Sequence, residues 1–371
     1  MKGQWIEKFK GSSTGIIILN VDELSTSFQG TACLLQDDPA LANSTAGFNT
    51  LTKSNNFTFT TKNLTAINKW PGLPLSLEDL TKNHPNSVMA ESVTVVGNWS
   101  EKQLSLSWTT NLNTIGSCKL KPTDVNQKSK IVSKKLSWDK FKKHISSMEN
   151  KRYLFRGQKK SWRLRTSFHR AGRFDVQRFI SEDIQALHKH LSARTKHAFN
   201  LEIPNENGAF FNLVQHHGYP TPLLDWTYSP FVAAFFAYRD ITKEEVMSAD
   251  TNSKVRILLF DQAKWKNDYP QFNHLSTGKL HVSVSEFLAI ENERMIPQQA
   301  ASTVTNIDDI EKYIKDCEKA NNKKYLLAFD LPLKERDKVI QELRFMGITA
   351  GAMFPGLDGA CKELKDRNFE L

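Results

Sequence analysis

The first 120 or so positions alternate between apolar and polar residues with the two-residue period of half-buried strands. Ile16–Val21 (IIILNV) is a short apolar run that suits a buried strand, and SFQGTACLL follows it after a polar turn. SVTVVGNWS and QLSLSWTTN also alternate, which puts Leu104, Leu106 and Trp108 on one face and Ser105 and Ser107 on the other. Turns are expected around Gly97–Asn98 and at Ser100–Lys102. Residues 41–69 hold 15 Ser, Thr or Asn in 29 positions, a composition that suits a long loop or weak edge strands. The pattern predicts a small antiparallel β barrel or sandwich over residues 1–122. Trp70, Trp99 and Trp108 belong either to its core or to a ligand-facing surface.

The period changes after Ser137. Trp138, Phe141, Ile145 and Met148 recur at helical spacing behind a capping serine. Before that helix, residues 123–136 read as a basic, polar linker. KRYLFRGQ is a short strand ending in a glycine turn. Helices are expected from Asp175 to about Phe199 and over Phe210–His217, where His217–Gly218 also reads as a helix end. Pro230–Arg239 is a helix with proline in its first turn. Strands are expected at Val255–Asp261, Arg294–Pro297 and Tyr325–Asp330, and a last helix at Lys334–Met346. The segment 137–371 is therefore α+β, as is the chain as a whole.

Composition narrows the classes. At 39% hydrophobic and 24% charged, the chain has material for real cores. It has no apolar run of the ~20 residues that a bilayer requires. MKGQWIEKFKGSS has no apolar stretch after its charges, so no secretory signal and a cytoplasmic location are expected. Cys33, Cys118, Cys317 and Cys361 are widely spaced and suit reduced thiols. His216, His217 and Asp225 lack a further spaced ligand, so no metal is expected. No P-loop, G-x-G-x-x-G or G-x-S-x-G is present.

The net charge of +10 is concentrated. Between Lys128 and Arg173 stand 16 Lys or Arg against only Asp139 and Glu149, while residues 1–122 are nearly neutral. Trp138, Tyr153, Phe155, Trp162 and Phe168 are interleaved with these cations. Basic residues with aromatics suit nucleic acid, RNA before DNA, and the same charge suits a protein acceptor or an acidic inhibitor protein. No membrane partner is expected.

YLFRGQ (153–158), QHHGYPTPLLDWTYSPFVAAFFA (215–237), NERMIPQQ (292–299) and FPGLDGACKEL (354–364) resemble the FRG-domain family, over roughly residues 137–371. Ala300 and Ser302 stand where that family's pattern leads one to expect Gly and Phe. A second resemblance is to ADP-ribosyltransferases of the Arg-Ser-Glu type: Arg156, then Thr227-x-Ser229 before a helix, then Glu291-x-Glu293, in the family's order. It implies an ADP-ribosyltransferase-like FRG domain that consumes NAD as co-substrate. In that reading Glu293 stabilises the cationic ribose, Glu291 orients the acceptor, and Arg156 holds the pyrophosphate. Gly157 admits close backbone approach, Thr227 and Ser229 hold the ribose or the glutamate, and His217 contacts a ribose hydroxyl. Such a chain would act as a toxin or anti-phage effector. The alternative is a non-catalytic module that binds nucleic acid or a partner. The residues also allow structural roles: Glu291 and Glu293 at a solvated strand edge, Arg156 paired with Asp225, Thr227 and Ser229 as helix caps.

Overall fold

The alternating N-terminal residues pair as successive hairpins in the computed structural model, which describes all residues except 86, 124, 126, 127, 273, 274, 276, 370 and 371. Three of the positions expected in the linker thus lie outside the described residues. The strands are β1 (Gly3–Gly11), β2 (Thr14–Glu23), β3 (Phe28–Gln36), β4 (Asn43–Asn49), β5 (Asn56–Thr61), β6 (Leu64–Ile67), β7 (Val93–Trp99), β8 (Leu104–Thr110) and β9 (Ile115–Leu120). They form one antiparallel sheet in the order β5-β7-β8-β9-β1-β2-β3-β4-β6. The sheet curls into a nearly closed barrel, because its two end strands are consecutive in the chain and Thr61 Oγ1 on β5 donates to the Gly47 carbonyl on β4 at 2.7 Å.

The Ser/Thr/Asn-rich stretch is thus ladder and not loop. Some of its polar side chains face outward, as in the Thr60–Thr94 hydroxyl pair, while Ser44, Phe48, Phe57, Phe59 and Thr61 line the interior. Gly97–Asn98 lies inside β7 and makes no turn. Gly97 is needed there because the Phe57 ring lies over it: an added Cβ would meet Phe57 Cζ at 2.1 Å. Leu104, Leu106 and Trp108 face inward as expected. Trp99 packs edge-on to Phe28, and Trp70 leaves the barrel to pack on Phe272.

The second sheet contains β10 (Ser133–Lys135), β11 (Tyr153–Gln158), β12 (Leu223–Thr227), β13 (Lys254–Asp261), β14 (Val282–Ser285), β15 (Ala300–Thr305) and β16 (Leu326–Pro332). Its order is β10-β16-β13-β11-β12-β15-β14, antiparallel except for β10 beside β16. Ser133–Lys135, within the expected linker, is therefore an edge strand. On one face Phe155, Ile257, Leu259 and Phe329 pack against the helices Trp138–Ile145, Pro230–Tyr238 and Arg336–Phe345. On the other face Leu154, Leu258, Phe260 and Trp226 pack against Trp265, Ile310 and Ile314 of the helices Gln262–Asp268 and Ile310–Asn321. Arg294–Pro297 is a turn and not a strand. Glu291 (φ 53°) and Gln299 (φ 44°) hold left-handed backbone on either side of it, which an extended strand does not allow.

The barrel docks on the second sheet through buried polar contacts. The fully buried Asp22 carboxylate accepts from Arg173 Nε at 2.7 Å and from the Phe174 amide at 2.6 Å. Gln4 bonds the Asn306 carbonyl and the Asp308 amide.

Candidate functional site

β11 and β12 are neighbours that share a single paired position, Phe155 with Thr227. Where they diverge, the sheet leaves a cavity of about 330 Å³. Arg156 bridges the split: its Nη1 donates to the Asp225 carbonyl at 2.5 Å, standing in for a missing backbone rung. Its Nε is buried and has no hydrogen-bond partner among the described residues. Burial lowers the pKa of this guanidinium, and the nearby Asp225 works against that.

Asp225 is the carboxylate on the cavity wall. Solvent reaches it through the cavity, yet protein atoms surround it. Desolvation therefore raises its pKa, opposed by Arg156, by a hydrogen bond from Gln215 and by Arg170. Gln215 is fixed in turn by the Thr221 hydroxyl, so the carboxylate is held by a relay of polar side chains. Gln215 and His216 sit in the last turn of the helix Pro204–His216. That helix starts earlier than expected, because Pro204 opens its first turn. His217 ends it, and Gly218 follows at φ 86°. Burial and the adjacent Arg294 depress the His216 imidazole to about 4, so it is neutral at physiological pH.

The turn at 291–299 roofs the cavity. Asn292, buried, donates through Nδ2 to the side-chain oxygen Oδ1 of Asn212 on the helix below. Thr227 Oγ1 donates to the Gln298 carbonyl at 2.7 Å, and Gln298 Nε2 donates to the Met353 carbonyl at 2.8 Å. Arg294 lines the cavity and lies over the Phe354 ring at 5.1 Å. The lining thus combines two guanidinium groups, one carboxylate, a neutral imidazole, carboxamides, and the rings of Phe236 and Phe354. Such a set suits a ligand with both a phosphate and a planar base.

Of the residues singled out in the sequence, Arg156, Gly157 and Thr227 line this cavity. Ser229 is buried next to Thr227, and its Oγ accepts from the Val232 amide at 3.2 Å to cap the helix Pro230–Tyr238. Glu291 and Glu293 are exposed and are not part of the lining, and the Glu291 carboxylate accepts from the His197 amide at 2.6 Å. His217 is exposed at the helix end. The turn reverses the expectation for its own motif: Asn292 and Arg294 face the cavity instead of the glutamates beside them. Asn212, Gln215, Arg294 and Gln298 were not read from the sequence as site residues. Two of the four blocks quoted above contain Gln215, Arg294 and Gln298, so the signal was present but carried no role. Ser229→Ala is expected to lower unfolding free energy by about 1 kcal/mol through loss of the cap. Paired chemical-denaturation curves would check this.

Part of the basic segment is folded against acids from later in the chain. Arg163 pairs with Asp309 at 2.6 Å, Arg165 with Asp308 at 2.6 Å, Lys159 with Glu245 at 2.7 Å and Arg152 with Asp261 at 3.1 Å. Trp138 and Phe168 are core residues with no face to offer a base, Phe155 is buried at the cavity wall, and Trp162 is exposed. Lys128, Lys130, Lys134, Lys135, Lys140 and Lys143 remain exposed. Among the described residues no three His, Cys, Asp or Glu side chains converge as a metal site would require. No helix among them is long and apolar enough to cross a membrane.

An antiparallel sheet split by an arginine bridge and roofed by a polar turn defines an α+β domain with a polar cavity. The FRG domain family model matches residues 151–246, which supply β11, β12 and the helices Pro204–His216 and Pro230–Tyr238 around that cavity. The chain carries an FRG domain. No curated protein and no solved structure matches the chain.

Proposed function

We propose that the FRG domain of this chain is an NAD-dependent ADP-ribosyltransferase whose co-substrate enters the Arg156–Arg294 cavity. The observation that supports this most strongly is Arg156 itself. Its Nε is buried with no hydrogen-bond partner among the described residues, in a cavity that also offers a second arginine and the rings of Phe236 and Phe354. Arg156 and Arg294 would hold the pyrophosphate, with Phe236 or Phe354 against a base. The nicotinamide–ribose bond breaks with its electron pair leaving on nicotinamide. An acceptor nucleophile bonds to the ribose carbon and loses its proton to water. The carboxylate able to face the cationic ribose is Asp225, so that role, given from the sequence to Glu293, passes to Asp225.

The acceptor we infer is nucleic acid, RNA before DNA, drawn to the exposed lysines between Lys128 and Lys143. A protein acceptor is the runner-up, and an inhibitory partner protein would restrain a toxin or anti-phage effector of this kind. A non-catalytic binding module is the second reading. It is favoured by the position of Glu291 and Glu293 outside the cavity.

Adenylate-labelled NAD incubated with the full chain and bulk RNA, DNA or protein separates the two readings. Asp225→Asn and Arg156→Met are each expected to cut label transfer at least tenfold, and Glu293→Gln to leave it within about twofold. Salt-sensitive RNA binding with neither NAD binding nor turnover would overturn the enzymatic reading and leave the module.

A further inference from the structure

The barrel is hollow. Its inward residues leave a cavity of about 430 Å³, far larger than the voids that close-packed interiors retain. The void arises because small side chains, Ala32, Ser44 and Ala46, occupy inward positions of β3 and β4 opposite the large residues of β7 and β8. Three features define what it takes. No charged side chain is part of its lining, and the deep wall is aliphatic and aromatic, with Ile17, Leu19, Leu106 and Trp108.

The second feature is an entrance. The β1–β2 and β8–β9 turns and the segment before β7 meet at one end. There Val88, Leu112 and Ile115 line the cavity yet are 77%, 42% and 58% exposed. Large apolar side chains left in water around an opening mark a path for apolar ligands. The third feature is a polar handle at the mouth, beside the hydroxyl residues Ser12, Ser13, Thr110 and Thr114 that share the lining. Gln36, the last residue of β3, lines the same end, and its amide oxygen is buried without a hydrogen-bond partner among the described residues.

We infer that the barrel binds one uncharged, elongated apolar molecule, deep end first, whose hydrogen-bond-donating end (a hydroxyl or amide) meets Gln36 at the mouth. A carboxylate or an amine on the ligand is disfavoured, because no charged side chain of the lining offsets its desolvation. The size suits a medium-length chain or a two-ring compound.

The test uses the full chain with N-phenyl-1-naphthylamine as fluorescent probe. The probe is expected to bind with a blue-shifted emission, and 1-decanol is expected to displace it. Decanoate at pH 8 should need at least a tenfold higher concentration, and decyl methyl ether, which has no donor, a several-fold higher one. Gln36→Leu should remove the preference for decanol over the ether. Ala46→Phe fills the void and should abolish probe binding while preserving or raising the melting temperature. Should Ala46→Phe fail to fold, Leu106→Ala enlarges the void instead and should shift the preference towards longer alcohols. The inference is overturned if the wild-type chain leaves the probe's emission unchanged, if decanoate competes as well as decanol, or if neither void variant alters binding.

Discussion

Gly157→Ala is expected to lower unfolding free energy by about 3 kcal/mol or more, the upper range for overpacking a rigid core. β11 crosses the helix Pro230–Tyr238 at this glycine with backbone against backbone. A Cβ there would lie 1.8 Å from the Ala233 carbonyl oxygen and 2.8 Å from the Ala237 amide nitrogen. Rotamer changes cannot relieve that overlap, since both clashing atoms are main chain. The helix cannot step back either, because Ala233, Ala237 and Tyr238 are fully buried and the Tyr238 hydroxyl is tied to the Pro332 carbonyl at 2.8 Å. Gly218→Ala offers the contrast. It has open space around it but a φ of 86°, so only its backbone strain counts, about 1 kcal/mol. Denaturant titration of both variants should show a midpoint shift at least twice as large for Gly157→Ala, at unchanged slope. A shift no larger than that of Gly218→Ala would mean that strand and helix do not meet in this way. The result also locates the purpose of the glycine. Beside the place that Gly157 has in the cavity lining, its backbone approaches a helix closely.

Strand alternation carries the barrel clearly. Leu104, Leu106 and Trp108 sit on the face that their spacing assigns, because a two-residue period admits only one other arrangement. The misreadings have physical causes. Thr and Asn on β4 and β5 look like loop residues until a partner strand takes up their backbone groups. Gly97 looks like a turn until Phe57 is placed over it. The hollow interior was not legible at all. Alternation tells which residues face inward, but not whether Ala32 and Ala46 meet bulk or space across the barrel.

The candidate site was half legible. Arg156 and Thr227 belong to long motif blocks and do line the cavity. The late motif misled because its side-chain directions were deduced from an assumed strand. Left-handed backbone at Glu291 instead turns Asn292 and Arg294 to the cavity and the glutamates away from it. The charge cluster was legible only as a count. A run of cations in sequence is a patch in space only where the fold leaves it unpaired. Here Asp308, Asp309 and Asp261 arrive from more than 100 residues away to pair with three of its arginines, while Lys128, Lys130, Lys134, Lys135, Lys140 and Lys143 stay exposed.

Two buried histidines set the other large expected effect, a loss of stability on mild acidification. His169 bonds the Thr166 hydroxyl at 2.7 Å through Nδ1, and burial with the neighbouring Arg165 depresses its pKa to about 3. His281 bonds Ser283 at 2.9 Å, packs on Phe272, and is depressed to about 3 by burial alone. Each ring's Nε2 is buried without a hydrogen-bond partner among the described residues. In the unfolded chain both imidazoles accept a proton near pH 6.5. Above that value both states are neutral and neither residue contributes to the slope. Below it only the unfolded state gains the proton, so stability falls with pH until the folded rings also protonate near 3. Between pH 7.5 and 5 each histidine should cost about 2 kcal/mol, and the pair about 4 kcal/mol.

Buried carboxylates act in the opposite sense. Desolvation raises Asp175 and Asp308, so the folded state takes up their protons first, and this adds stability as the pH drops. The raw slope therefore mixes both effects, and the decisive quantity is a difference between variants. His281→Gln keeps a polar side chain within reach of Ser283 but cannot titrate. Its stability relative to wild type should move in the variant's favour by about 2 kcal/mol from pH 7.5 to pH 5, and stay constant from pH 8.5 to 7.5. His169→Gln should behave alike, and the double variant should show both shifts. Parallel wild-type and variant curves across the acid window would mean that the folded protein admits a proton to these rings near the ordinary pKa, which their burial without a second partner does not allow.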